Sequence, residues 1–282
     1  MNRTDFSPLA LALALLLGSA PVSAQQASSK VSSDIHVGAG QAAGALDTVS
    51  GDITVDGGAS TGGINSVSGD IELGAGARVG SLNTVSGDID LASKATAGAV
   101  VTVSGDIHAG DDVQMGDVQT VSGDIRFGMR ARSGSAQTVS GDVRFGEGGQ
   151  LARAETVSGD VFIARGGRVA RGVQTVSGAI GLVASDVGGD VLTYTGNVTV
   201  GIGSHVRGGL TVRKPNQNNG IRVLNLRIKP NPPRIVIGPN ARVDGALRFE
   251  HPVKLYVHAS ARTGPISGAS PIRFDTPVAP ND

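Results

Sequence analysis

Aspartates recur at one repeated place in this chain and are its most regular set of side chains that could do chemistry. Each is the fifth residue of a hexapeptide of the form Thr-Val-Ser-Gly-Asp-Ile, which returns about every 18 residues. The eight members are Asp34, Asp52, Asp70, Asp88, Asp106, Asp124, Asp142 and Asp160. Carboxylate oxygens are the ligands that calcium prefers, so one chemistry open to the row is cation binding. The other is structural, because an Asp beside a Gly accepts hydrogen bonds from turn amides.

The sequence favours the structural interpretation of this aspartate row. The calcium-binding nonapeptide rolls carry a Gly-Gly-x-Gly-x-Asp signature, which is missing here, and this chain supplies one such Asp per 18 residues. Stacked carboxylates repel each other by about 1 kcal/mol per pair even in water. We expect backbone amides to offset that repulsion, and we predict neither a metal site nor a cofactor.

Arginines crowd into adjacent repeats just after the middle of the chain. Residues 25–119 hold 3 Lys+Arg and 12 Asp+Glu, a net charge of −9, whereas residues 120–282 hold 20 and 11, a net charge of +9. The crowded members are Arg126, Arg130, Arg132, Arg144, Arg153, Arg165, Arg168 and Arg171.

Two interpretations of these arginines remain open, a solvated face and a basic surface that attracts an anionic envelope polysaccharide or lipopolysaccharide. The charge asymmetry also predicts self-association, acidic end to basic end. Nucleic acid is not an expected partner, because aromatic residues make up only 3% of the chain and do not alternate with the basic ones.

Motifs of catalysis are missing from the sequence. The chain has no cysteine, its five histidines show no metal-ligand spacing, and neither a phosphate-binding loop nor a nucleophile elbow is present. A β-helix hydrolase acting on carbohydrate through paired acids is the alternative to a non-enzymatic protein. Such acids belong to a few special coils, whereas these recur uniformly, so we predict no enzyme.

Hydroxyl side chains occupy the first and third positions of the hexapeptide. We expect both to face outward and to form a regular Thr-x-Ser ladder, which resembles the surface of ice-binding solenoids. Thr and Ser also suit ordinary strand surfaces, and charged Asp lies beside them, so we expect the ordinary role.

The spacing of the hexapeptide predicts the architecture that positions all these rows. Units of 18 residues that bury apolar side chains only against their neighbours are typical of an all-β, single-stranded parallel β-solenoid, or β-helix. Strand alternation predicts that positions 2, 4, 6 and 8 face the core, so a polar residue at Val121 would cost about 2–5 kcal/mol. Apolar residues six apart, at Val67, Leu73 and Val79, predict a triangular cross-section of undecided handedness.

Four segments follow from composition. Residues 1–24 have the charge, apolar run and small-residue end of a secretory signal peptide. Residues 25–212 are the predicted regular solenoid, residues 213–268 are irregular coils with polar loops at 213–220 and 229–233, and residues 269–282 are a tail that either caps the end or stays loose. We therefore expect an exported protein of the periplasm, cell surface or medium, with no transmembrane segment after cleavage.

The Val-Ser-Gly-Asp-Ile copies resemble those of bacterial adhesin-type and head-GIN-type β-solenoid domains, over most of residues 31–268. A looser similarity to bactofilins is carried by residues 71–79 and 235–243. The resemblance implies no catalytic residues, and for bactofilins it implies end-to-end polymerisation. The expected function is a non-enzymatic, adhesin-like scaffold of the cell envelope; a carbohydrate-active enzyme and a calcium- or ice-binding solenoid are the alternatives.

Overall fold

A computed structural model describes residues 28–30, 32–215 and 232–280. Within these residues the regular elements are all strands, and they stack in parallel to form a β-solenoid of about 12 turns. Equivalent residues of successive turns lie side by side, as Ile53, Ile71 and Ile89 do. The predicted fold class is confirmed.

Each turn contributes strands to three columns. The first column is a 13-stranded sheet built on positions 6 to 8 of the repeat. Its strands are β2 (Ile35–Val37), β4 (Ile53–Val55), β7 (Ile71–Leu73), β10 (Ile89–Leu91), β13 (Ile107–Ala109), β15 (Ile125–Phe127), β17 (Val143–Phe145), β19 (Val161–Ile163), β21 (Ile180–Leu182), β24 (Val198–Val200), β27 (Arg234–Ile237), β30 (Lys254–His258) and β33 (Ile272–Phe274).

The second column uses positions 13 and 14, and the third begins at position 17 and runs into the next hexapeptide. The second holds β5 (Ser60–Thr61), β8 (Arg78–Val79), β11 (Thr96–Ala97), β22 (Asp186–Val187), β25 (His205–Val206), β28 (Arg242–Val243) and β31 (Arg262–Thr263). The third holds β1 (Ser28–Lys30), β3 (Leu46–Ser50), β6 (Ile64–Ser68), β9 (Leu82–Asn83), β12 (Val100–Val101), β14 (Val118–Gln119), β23 (Val191–Thr193), β26 (Leu210–Val212), β29 (Leu247–Phe249) and β32 (Ile266–Ser267).

Three strands run through the corner between the second and third columns. They are β16 (Arg132–Ser140), β18 (Gln150–Ser158) and β20 (Arg168–Gln174). A register shift between β18 and β20 absorbs the one residue inserted into the repeat before Thr175.

The core is a column of apolar side chains enclosed by the three strand columns. Positions 6, 8, 14 and 17 supply its larger members, as Ile71, Leu73, Val79 and Leu82 do in one turn, and position 12 supplies small ones such as Ala77. All these side chains are buried. The six-residue spacing from Leu73 to Val79 therefore marks core positions as predicted, whereas position 17 was missed.

The first two residues of the hexapeptide face the sides opposite to those predicted. Val49 and Val67, at position 2, are 49% and 40% exposed, whereas Thr48 and Ser66, at position 1, are 5% exposed. The predicted core role of the position-2 valines and the predicted outward Thr-x-Ser ladder are thus wrong. Only the serines at position 3 face solvent. Val121 is itself partly exposed, so the large cost predicted for a polar residue there is also wrong.

The glycine at position 4 explains why strand alternation fails here. Gly105 has φ +158, and a Cβ on it would overlap the carbonyl oxygen of Gly87 in the turn before. The chain turns a tight corner at this residue, which only glycine fits. Because alternation does not run through a corner, positions 6 and 8 keep their predicted side while positions 1 and 2 exchange theirs.

Residues 272–280, within the predicted tail, lie against the coils before them. Strand β33 pairs with β30, and Val236, Tyr256, Phe274 and Ala279 form a second apolar cluster outside the main core. Arg234 lies 4.9 Å above the Tyr256 ring and donates hydrogen bonds to carbonyls of the tail. Residues 1–24, the predicted signal peptide, lie outside the described residues, as do most of the two predicted loops.

Candidate functional surfaces

The aspartate row is a hydrogen-bonded ladder. One carboxylate oxygen of each Asp accepts the backbone N–H of the equivalent residue in the next turn, at 2.9 Å from Asp70 to Asp52 and at 2.7 Å from Asp106 to Asp88. The ladder begins with the Asp52 amide, which donates to Asp34, and ends with the Ala179 amide, which donates to Asp160. Ala179 has no carboxylate, so the ladder does not continue beyond it. The structural interpretation is confirmed, with amides supplied by the neighbouring turn. Among the described residues no group of three or more His, Asp or Glu side chains could hold a metal ion.

Arginines at position 7 neutralise part of this ladder. The Arg126 guanidinium bonds the carboxylates of both Asp106 and Asp124, and Arg144 bonds Asp142 at 2.9 Å. The pKa of Asp106 is lowered, chiefly by the Asp124 amide and further by Arg126. The Asp106 carboxylate is therefore held ionised by contacts inside the solenoid.

The eight predicted arginines do not form one surface. Arg126 and Arg144 project from the first column, Arg132 and Arg168 from the second, and the rest lie at turns or near the corner before the third. Four of the eight are ion-paired, since Arg130 bonds Asp112 at 2.7 Å and Arg153 bonds Glu155 at 3.0 Å, in addition to the two on the aspartate ladder.

The remaining four arginines make no ion pair with a described residue. They are Arg132, Arg165, Arg168 and Arg171. Arg132 and Arg168 occupy the same row two turns apart, with Gln150 between them. Two steps of a parallel β stack separate their backbones by about 9.6 Å. This half of the predicted set is thus the part that is electrostatically available to an outside anion.

An open groove of about 480 Å³ runs along the first column in the amino-terminal half. Its lining includes Asp56, Glu72, Asp90 and His108. Glu72 and Asp90 are register partners on neighbouring strands, so this is the place where paired acids for glycoside hydrolysis would lie. Both side chains are exposed, however, and a general acid of that kind needs a desolvated pocket to hold its proton at neutral pH.

Histidines are scattered over the surface of the solenoid. His36 pairs with Asp56 at 3.2 Å, near the first described coils, and His205 bonds Asp244 at 2.8 Å, many turns away. Asp244 also bonds Arg242, and these two contacts lower its pKa. This small charged group on the second column was not predicted, because the 37-residue spacing between His205 and its register partner Arg242 departs from the repeat.

The exposed valines of position 2 form a feature that the sequence analysis assigned to the core. They stack in register along the third column, next to the exposed serines whose bridges link successive turns. We call this row the valine stripe; its members are Val49, Val67, Val85, Val103, Val121, Val139, Val157 and Val176. The outward direction of these valines could have been predicted from Gly at position 4, which marks a corner, together with Thr at position 1.

A comparison with known families extends this description. A family model described as Toastrack DUF4097 matches residues 22–182, more than half of the 282-residue chain. That family is not a known enzyme family. The match does not confirm the more specific likeness to adhesin-type, head-GIN-type or bactofilin proteins. No curated protein and no solved structure matches the sequence, and no helix among the described residues is long and apolar enough to span a membrane.

Proposed function

For this chain, which belongs to the Toastrack family, we propose the function of a non-enzymatic, exported scaffold of the bacterial cell envelope. The observation that carries this proposal is that the regularly repeated aspartates serve as structural hydrogen-bond acceptors. In the aspartate ladder each carboxylate is bonded to the amide of the next turn, so the most regular chemical groups of the protein hold the solenoid together. Export is supported by the signal-peptide features of residues 1–24.

Four arginines of the predicted set, which make no ion pair with a described residue, are the proposed contact with an anionic envelope polymer. They are Arg132, Arg165, Arg168 and Arg171. Their guanidinium groups are not committed to described carboxylates, and they lie in the half of the chain that carries net positive charge. Arginine suits this role, because its planar group binds phosphate and carboxylate through two hydrogen bonds at once. Anionic polysaccharides and lipopolysaccharide carry carboxylate or phosphate groups of this kind.

Retention on immobilised anionic polysaccharide tests the contact. We expect binding that falls as salt rises, and at least a tenfold loss of affinity in the triple variant Arg132→Ser, Arg168→Ser, Arg171→Ser. The matched control, Arg248→Ser, Arg262→Ser, Arg273→Ser, removes the same charge from exposed sites in the last coils. Equal loss in both variants would reduce the contact to net charge, and no loss in either would overturn it.

Export and lack of catalysis are tested separately. Cell fractionation should find the full-length protein outside the cytoplasm, and deletion of residues 2–24 should leave it inside. Incubation with a panel of polysaccharides should release no reducing sugar. Release that disappears in Glu72→Gln or Asp90→Asn would show that the acidic groove is a hydrolase site and would contradict the scaffold.

A further inference from the structure

The valine stripe is an ordered apolar surface with no cover among the described residues. Val157 is 40% exposed, as is Val67 near the other end of the stripe, and the valines between them are partly exposed. Eight valines at the 4.8 Å spacing of a parallel stack span about 34 Å. A row of β-branched side chains on a strand surface is flat and stiff, because each has few rotamers.

The size of the stripe is that of a contact surface. With the flanking serine row and the mostly polar row before Thr, the strip is about 13 Å wide, a footprint of about 450 Å². The valines form only its central apolar row, and an exposed apolar row rimmed by polar residues is typical of an interaction site. It is also at the low end of specific interfaces, so any protein held by it alone would bind weakly.

The polar row beside the stripe does not block such a contact. Its side chains bond to each other along the solenoid axis, with Asn65 donating to Asp47 at 2.8 Å and Gln137 donating to Glu155 at 2.8 Å. In the middle of the row the polar residue is replaced by Val101. The apolar surface is therefore widest near the centre of the stripe.

Net charge differs between the turns that carry the two halves of the stripe. Residues 48–119 contain 2 Lys+Arg and 10 Asp+Glu, a net charge of −8, and residues 120–191 contain 8 and 7, a net charge of +1. The change falls between Val103 and Val121, at the middle of the eight valines. Two stripes laid parallel would place −8 against −8, whereas antiparallel stripes place −8 against +1 at each end.

We infer that the valine stripe is the contact surface of an antiparallel, side-by-side homodimer. A two-fold axis between Val103 and Val121 overlaps the whole of both stripes, so that Val49 of one copy faces Val176 of the other. This inference does not depend on polymer binding or on export.

The aspartate ladder lies along one edge of the proposed contact. Antiparallel pairing about this axis brings the ladders of the two copies to the same edge. The carboxylates nearest the axis, Asp106 and Asp124, share Arg126. Farther out, Asp88 lies across from the partner's Asp142, which is bonded to Arg144. These arginines offset the repulsion between the two ladders.

Sedimentation equilibrium of the purified protein tests the surface. We expect a concentration-dependent dimer with a dissociation constant in the micromolar range, weakened at least tenfold by Val67→Thr, Val103→Thr, Val157→Thr. Threonine keeps the shape and strand preference of valine but adds a hydroxyl, so the fold is retained, which circular dichroism and melting temperature check. The control Ile202→Thr changes an exposed apolar residue off the stripe and leaves the dimer intact. A monomer at all concentrations, or a dimer untouched by the triple variant, would overturn the inference.

Disulfide trapping tests the orientation, and the absence of native cysteine makes it clean. Val49→Cys and Val176→Cys proteins should crosslink when mixed under mild oxidation, and neither should crosslink alone, because a disulfide needs Cα atoms within about 7 Å. Ile202→Cys serves as the background control. Crosslinking of Val49→Cys to itself above that background would show parallel stripes and would overturn the antiparallel dimer, whatever the result for polysaccharide.

Discussion

Two halves of the solenoid carry the same hexapeptide but bond it differently. In residues 120–175 the buried Thr hydroxyl donates to the corner glycine of the preceding turn, from Thr138 to the Gly123 carbonyl at 3.2 Å for example. In residues 48–102 the equivalent hydroxyls, Thr48, Ser66, Thr84 and Thr102, are buried without a hydrogen-bond partner among the described residues. Burying an unbonded hydroxyl costs about 1–3 kcal/mol.

The aspartate ladder also changes along the chain, one turn earlier than the hydroxyl row. Asp106, Asp124 and Asp142 are bonded to arginines, whereas Asp70 and Asp88 rely on backbone amides. The repeat thus specifies the path of the chain, and residues outside it, such as Arg126, decide how well each turn is stabilised. We infer that the amino-terminal half is the weaker one, and the following experiments test that comparison.

Substitution of a corner glycine should have the largest effect. Gly105→Ala places a Cβ against the Gly87 carbonyl at a positive φ, and we expect a loss of about 3 kcal/mol or more. Gly58→Ala, at a turn with φ +69 and no atom within 4 Å, isolates the conformational part and should cost about 1 kcal/mol. Urea unfolding followed by circular dichroism measures both, and equal effects would exclude the close-packed corner.

Replacing the buried threonine should have opposite effects in the two halves. Thr138→Val removes the hydrogen bond to Gly123 and should destabilise by about 1–2 kcal/mol. Thr102→Val removes an unbonded hydroxyl and should be neutral or stabilise by about 1 kcal/mol. Urea midpoints of the two variants provide the comparison. A loss of similar size at both sites would mean that the two halves bond their hydroxyls alike.

Substitutions in the aspartate ladder should separate hydrogen bonding from charge. Asp88→Ala loses the bond to the Asp106 amide and should cost about 1 kcal/mol, whereas Asp88→Asn keeps an acceptor oxygen and should be nearly neutral. The chain itself makes that exchange, since Asn197 accepts the Arg234 amide at 2.8 Å. Thermal melts measure both. If Asn were as harmful as Ala, charge would be the essential property.

Acid should have the smallest effect, at the arginine-bonded part of the aspartate ladder. The pKa of Asp106 is lowered from 3.8, so its stabilisation is present above that pH and is lost as pH falls through the lower, folded value. Carbon-detected NMR titration should show that low midpoint, and Arg126→Gln should move it upward, because the guanidinium is one of its causes. An unchanged midpoint would leave the amide of Asp124 as the sole cause.

The stacking of equivalent turns could be predicted from the sequence, whereas the corner at the position-4 glycine could not. An unbroken 18-residue spacing of Ile, Gly and Asp permits little except equivalent turns, so the solenoid, the core role of Leu73 and Val79, and the amide bonds of the aspartates were all predictable. The side assigned to Val67 was wrong because hydrophobicity and strand alternation both ignore the glycine corner. In residues 120–175 the inward Thr hydroxyl bonds a corner carbonyl, which valine cannot do.

The candidate surfaces were predictable only in part, for a related reason. Clustering in sequence revealed the arginines, but their positions in the 18-residue turn spread them over different columns. Whether an arginine is paired depends on the residue one turn away, as with Arg130 and Asp112. Packing of the tail against Tyr256 depends on coils that depart from the repeat, so periodicity held no information on it.

Thiol labelling of adjacent residues tests the orientation of the hexapeptide most directly. The protein has no cysteine, so Ser66→Cys and Val67→Cys each introduce a single reporter, and the first replaces one small side chain by another of nearly the same shape. At protein concentrations below the dissociation constant of the dimer, where the stripe is uncovered, the Val67→Cys thiol should react with a water-soluble reagent within about tenfold of its rate in urea, and the Ser66→Cys thiol should be protected at least about 100-fold. Protection of residue 67 with free reaction at residue 66 would contradict an inward hydroxyl row and an outward valine stripe.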